Sequence, residues 1–119
     1  MNINFKKVLI TTTAPTENIN QIRNAAYAAG AGIIGNYSHC SISTECTGTF
    51  KPNENAHPYI GENNKLEYAE EEKLEIICDA TIAKNVIAEI KKVHPYEEPG
   101  IFITPLLAED DFDQKPTLC

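Results

Sequence analysis

Two stretches of this chain carry residue types that can bind a metal ion or do acid–base work. The first is His94-Pro-Tyr-Glu-Glu-Pro99, an imidazole followed closely by two carboxylates. Histidine with carboxylate is a ligand set for Zn, Mn, Fe or Ni. Pro95 and Pro99 restrict the backbone around these groups, so less freedom is lost when a ligand is held there. In an extended segment Glu97 and Glu98 point to opposite faces, which lets only one of them join His94. One histidine and one glutamate are too few for a tight site.

The second stretch begins at a glycine-rich corner, Gly30-Ala-Gly-Ile-Ile-Gly-Asn-Tyr37, and continues as an alternating polar run to Thr47. Gly30, Gly32 and Gly35 supply backbone conformations that other residues avoid, and Asn36 tolerates left-handed geometry. Such a corner is a place for a ligand or a neighbouring subunit. Gly35, Asn36 and Tyr37, with His39, Glu45 and Tyr96, are therefore candidate ligand-binding residues. In an extended run His39, Ser41, Ser43 and Glu45 share one face. If that strand meets another subunit, His39, His94 and one of Glu97 or Glu98 converge as ligands for a divalent metal ion such as Zn or Mn. A structural reading stands beside this one. His94 at a helix C-terminus interacts with the dipole and caps carbonyls, Tyr96 and the prolines shape a corner, and Glu97 and Glu98 pair with Lys or with Arg23 of a neighbour.

Other candidates carry less. His57 sits in an Asn- and Pro-rich loop and reads as a surface histidine. Gly30-Ala-Gly-Ile-Ile-Gly35 matches GxGxxG, but it follows a helix instead of joining strand to helix, so a dinucleotide site is rejected. His39 and Cys40 are strand neighbours whose side chains diverge, which excludes a catalytic pair. No GxSxG nucleophile motif occurs. The run Glu70-Glu71-Glu72 reads as a solvated bend.

The elements that must position these residues follow from periodicity. Lys7–Thr13, with Val8-Leu9-Ile10 and three threonines, reads as a central strand. Thr16 as N-cap and Glu17 in the first turn open a helix over 17–29 with Ile19, Ile22, Ala26 and Ala29 as its buried stripe, closed by Gly30. Tyr37–Thr47 reads as the second strand and Lys51–Asn64 as loop. Leu66–Tyr68 and Lys73–Cys78 flank the acidic bend. Asp79–Val93 restores the helical period, and Pro95 prevents continuation beyond His94. Tyr96–Leu107 is extended, and the acidic residues that follow form an appendage. The order strand–helix–strand–strand–helix–strand predicts an α+β, ferredoxin-like split βαβ sandwich over 1–107, an antiparallel sheet with two helices on one face, and a tail over 108–119. Its second and fourth strands lie at opposite sheet edges. Two exposed edges are a liability unless an oligomer covers them.

A chain of 119 residues suits one domain. The net charge of −7 argues against nucleic acid or an anionic membrane as partner. The N-terminus lacks the features of a signal peptide, and no apolar run reaches the roughly 20 residues that span a bilayer. Cys40, Cys46, Cys78 and Cys119 then read as reduced thiols of a cytoplasmic protein.

Gly30-Ala-Gly-x-Ile34-Gly-Asn-Tyr-x-x-Cys40-Ser, Gly48-Thr-Phe50-x-Pro52, Pro58-Tyr-Ile-Gly61, Lys65-Leu-Glu67 and His94-Pro-Tyr-Glu-Glu-Pro99 occur in order. Together, over about residues 5–107, they resemble the small domain inserted in YqfO-type members of the NGG-one-interacting-factor-three-like family, here as a free-standing form. The resemblance implies a fold similar to the CutA and PII proteins and association in threes through sheet edges. Full-length relatives carry a dinuclear metal site, often with the label GTP cyclohydrolase I type 2, in a larger flanking domain outside this stretch. That activity is not carried over. Relatives typically have glycine where Cys46 stands; a bulge with positive φ there would strain Cys46, a soft ligand or reactive thiol is a second reading, and a tolerated small residue is the favoured one. The function expected is an oligomeric binding or regulatory module, without catalysis of its own, holding a metal ion or small ligand between subunits. A metal-dependent hydrolase assembled at a trimer interface, or a structural partner of a larger metalloprotein, are the alternatives.

Overall fold

A computed structural model describes residues 5–112. Strand β1 (Lys7–Pro15) leads through a 3-10 turn (Thr16–Asn18) into helix α1 (Ile19–Ala28). Strands β2 (Ile42–Phe50) and β3 (Glu67–Asp79) follow, then a 3-10 turn (Ala80–Ile82), helix α2 (Ala83–Val93) and strand β4 (Ile101–Leu106). The sheet is antiparallel throughout, in the order β2-β3-β1-β4. This is the split βαβ arrangement that the sequence predicts, with β2 and β4 at the edges.

The core lies between the sheet and the two helices. Val8 and Ile10 of β1 and Leu74 and Ile76 of β3 meet Ile22 of α1 and Ile90 of α2. Register places Val8 opposite Cys78, Ile10 opposite Ile76 and Thr12 opposite Leu74, so these pairs share the helix-covered face. Alternation then assigns Thr13 and Glu71, and across β2 Gly48 and Phe50, to the face that no helix covers.

Several boundaries differ from the sequence reading, each for a local reason. Thr16 does not cap α1: it sits in the 3-10 turn after Pro15, and no side chain caps the helix start. At the other end Gly30 closes α1 as predicted. Its φ of 103° lets Gly30 N–H reach Tyr27 O at 3.0 Å and Ala31 N–H reach Ala26 O at 3.0 Å, a complete Schellman motif. Strand β2 starts at Ile42, not Tyr37, because His39 has a φ of 59° and breaks the extended run. Cys46 lies within regular β2, paired opposite Glu71, and is not among the residues with positive φ, so no strained bulge exists there.

The acidic run is no bend. Glu70, Glu71 and Glu72 belong to one continuous β3, whose backbone is paired with β2 and, from Glu71 onward, with β1. Ladder pairing on both sides outweighs the weak strand propensity of glutamate. The segment between α2 and β4 is turn, not strand, up to Gly100. Cys40, Cys46 and Cys78 are free thiols. Cys119 and the tail beyond Phe112 lie outside the described residues. Among the described residues no helix is long and apolar enough to cross a membrane.

Candidate functional site

On the helix-free face, at the end of β1, two separate segments close over the sheet and leave a cleft of about 330 Å³. Gly48 and Phe50 of β2 and Glu71 of β3 form its floor, Pro58 and Tyr59 of the long loop one wall, and Tyr96 to Glu98 the other. Three of the motifs quoted above, Gly48-Thr-Phe, Pro58-Tyr-Ile and Tyr96-Glu-Glu, therefore converge on one place.

The walls are fixed by polar contacts. Asn63 donates through Nδ2 to the carbonyls of Asn53 (2.7 Å) and Ala56 (2.8 Å), which stitches the loop to itself. The N–H of His57 donates to Oε1 of Glu97 at 2.9 Å, which ties the loop to the opposite wall. His57 itself is exposed.

Glu71 is the unusual residue. It is 4% exposed, although it is a carboxylate on a face without helices. The Tyr96 hydroxyl donates to its Oε2 at 2.5 Å. Its other oxygen lies over Gly48, where a Cβ would come within 1.9 Å of Oε1. Glycine is needed at 48 to make room for the carboxylate, and this close approach explains the residue better than any turn does. Burial and the bond to Glu71 hold the Tyr96 hydroxyl well above its ordinary titration range, so it stays a donor. Burial followed by the Glu71 charge also raises the Cys46 thiol, which argues against a reactive thiolate there.

His94 sits behind this wall. It is 7% exposed, and its Nε2 donates to Thr13 O at 2.9 Å while Nδ1 accepts the Tyr96 N–H at 3.2 Å. Burial lowers its pKa, against smaller upward pulls from the Thr13 carbonyl and Glu71. Both ring nitrogens are engaged in the neutral form, so His94 here supports the Tyr96 wall and offers no lone pair to a metal.

The structure brings Tyr96, Glu97 and Glu98 together in the cleft and places the other sequence candidates elsewhere. Because residues 95–98 are bent and not extended, Glu97 and Glu98 both line the cleft. Gly35 and Asn36 form the tip of a tight turn between Ile34 and Tyr37, which exchange hydrogen bonds of 2.8 and 2.9 Å. Tyr37 is 76% exposed there. The His39 ring packs on Tyr27 with centroids 4.7 Å apart, and its Nδ1 bonds Ser38 Oγ at 2.8 Å. Glu45 is exposed on β2, opposite Glu72. Arg23 is spent within the chain, on Ser41, Ser43 and Asn20. Among the described residues no group of three or more His, Cys, Asp or Glu side chains is arranged to hold a metal ion. Reading the sequence missed Glu71, Gly48, Phe50 and Tyr59 as site residues. Strand alternation through Glu70–Glu72 was the signal that could have found Glu71, since Ala69 and Glu71 share a face.

The fold defines a class. CutA1 from Shewanella sp. SIB1 is similar with a TM-score of 0.66 at 19% identity, over 89% of this chain and 86% of that one. The CutA protein of Archaeoglobus fulgidus, described as a periplasmic divalent cation tolerance protein, gives 0.64 at 21%, over 90% and 92%. Sequence relatives narrow this further. The GTP cyclohydrolase 1 type 2 homolog of Halalkalibacterium halodurans is 44% identical over 97 residues, 82% of this chain and 26% of that protein. The Bacillus subtilis homolog is 46% identical over 92 residues, 77% of this chain and 25% of that protein. A Bacillus cereus protein related to NIF3 has a TM-score of 0.75 at 36% identity, over 88% of this chain and 27% of that one. No family model matches the chain. The chain is thus homologous to one segment of the NIF3/YqfO-type proteins, and it spans about a quarter of the length of the relatives it matches.

Proposed function

We propose that this chain is an oligomeric binding module, without catalysis of its own, whose ligand site is the cleft over Glu71. The observation that carries this reading is the convergence of three segments distant in sequence on one buried carboxylate with space beside it. A purely structural carboxylate would be expected to be fully paired; Glu71 has Tyr96 as donor to Oε2, while Oε1, lying over Gly48, has no donor among the described residues and the side chain lines the cleft. Self-association is supported by the two sheet edges. Ile42 at the start of β2 is 67% exposed and Phe102 on β4 is 68% exposed, and a closed ring of subunits would cover both. Three subunits is the arrangement proposed.

A second reading places a divalent ion such as Zn or Mn at the boundary between subunits, held by His39 of one and Glu97 or Glu98 of the next. It is favoured by His39 alone, which projects from a positive-φ corner beside the β2 edge with no partner on Nε2 among the described residues. The hydrolase activity borne by the name of the longer relatives is not assigned to this segment.

Light scattering fixes the state of assembly, and calorimetric titration of the metal-stripped protein with zinc, manganese and a panel of small polar molecules tests the site. Saturable binding that is lost in Gly48→Ala supports the cleft. Binding lost in His39→Ala and kept in Gly48→Ala moves the site to the subunit boundary. A monomer with no saturable ligand overturns both readings.

A further inference from the structure

We infer that the ligand of this cleft is a small organic cation, an alkylammonium in chemical class, and not a bare metal ion or an anion; this rests on the cleft being the ligand site. The floor holds a carboxylate that is 4% exposed, with Oε2 fixed by Tyr96 and Oε1 lying over Gly48. Carboxylate oxygens only accept hydrogen bonds, so the group that completes this one must donate. In a site shielded from water a charged donor forms the stronger, shorter bond.

The walls select the kind of cation. Phe50, Tyr96 and Tyr59 stand in sequence around the cleft, with ring centroids 6.1 Å apart for Phe50 and Tyr96 and 6.3 Å for Tyr59 and Tyr96. Aromatic faces attract an ammonium or its flanking methylenes, whereas the carboxylates of Glu71, Glu97 and Glu98, whose oxygens would suit a hard divalent ion, are not arranged together as a metal site among the described residues. At the rim Glu97 and Glu98 add two carboxylates against the single ammonium of Lys51, which repels anions. A volume of about 330 Å³ has room for roughly ten heavy atoms at the ~30 Å³ that a water occupies. That accommodates an amine with a short aliphatic body.

The ammonium has two possible sources, a free amine or a lysine side chain of a peptide, and the test separates them. The probes are n-butylammonium, its neutral counterpart n-butanol, N-acetyl-lysinamide and Mn²⁺, each titrated calorimetrically into the assembled full chain. The expected result is one n-butylammonium per chain, bound at least 10-fold tighter than n-butanol. Glu71→Gln weakens that binding at least 10-fold and leaves n-butanol unchanged. Tyr59→Leu, at an exposed position where folding is not at stake, weakens it several-fold. N-acetyl-lysinamide binding as tightly as n-butylammonium assigns the cation to a peptide; weaker binding assigns it to a free amine. Equal affinity for n-butylammonium and n-butanol, or no effect of either variant, overturns the inference. Binding of Mn²⁺ in the cleft without n-butylammonium overturns the cation class while the cleft stands as the site. No probe binding in the cleft overturns the ammonium assignment, and if the wider panel is also silent, the cleft reading falls with it.

Discussion

The glycine corner before β2 and the cleft beside β3 look alike in sequence, since both combine histidine, tyrosine and glutamate with backbone-shaping residues. In three dimensions they are opposites. At the corner Ile33, Ile34 and Tyr37 face outward, and His39 rests on Tyr27 at the surface. In the cleft a glutamate is buried, a tyrosine is bonded to it, and a histidine is locked behind both. The corner has the make-up of a contact surface, whereas the cleft has the make-up of a pocket. Residue type alone does not separate the two; coverage by neighbouring segments does.

The contrast can be broken most severely at Gly48. Placing a Cβ within 1.9 Å of Glu71 Oε1 in Gly48→Ala displaces the carboxylate and breaks its bond to Tyr96. A loss of about 3 kcal/mol is expected in denaturant unfolding, at the upper end for overpacking. Tyr96→Phe leaves a buried carboxylate without its donor and is expected to cost about 2 kcal/mol. An unchanged midpoint would mean that Glu71 is solvated after all.

His94 sharpens the comparison through pH. Its folded pKa lies below the ordinary value near 6.5, so the unfolded chain takes up the proton first. The stability His94 contributes is fully present above about pH 6.5 and is lost as pH falls from there through the lower folded value. In His94→Gln that part of the decline should vanish from a plot of melting temperature against pH. A variant that keeps the same acid slope assigns the decline to other groups. At the corner, Tyr37→Ala and His39→Ala should change the stability of the fold by no more than about 0.5 kcal/mol, as exposed positions do. Dissociation of the assembly on dilution is the readout there, and Tyr37→Ala is the variant expected to weaken it.

Much of the fold was legible because the core obeys simple periods. Ile19, Ile22 and Ala26 fall at helical spacing, and Val8, Ile10, Leu74 and Ile76 alternate on their strands. Boundaries were less legible where a single backbone angle decides, as at His39. The cleft was only half legible. Its Tyr96-Glu-Glu wall was visible as a cluster, but Glu71 was hidden in a charged triplet that reads as solvated on local grounds. What buries it is pairing with β1 and β2 and a glycine across the sheet, and these partners are remote in sequence. The same remoteness explains His94: its carbonyl partner, Thr13, lies at the other end of the fold's sequence, so a ligand role and a helix-capping role stand side by side in the sequence.

The measurement that bears most directly on the cleft is an amide-resolved NMR titration of the full chain with n-butylammonium. Saturable shifts confined to Gly48, Phe50, Glu71, Tyr59 and the Tyr96–Glu98 wall, with the Ile34–His39 corner silent, are the predicted result. Shifts centred on the corner, with Glu71 and Tyr96 unmoved, would contradict the account.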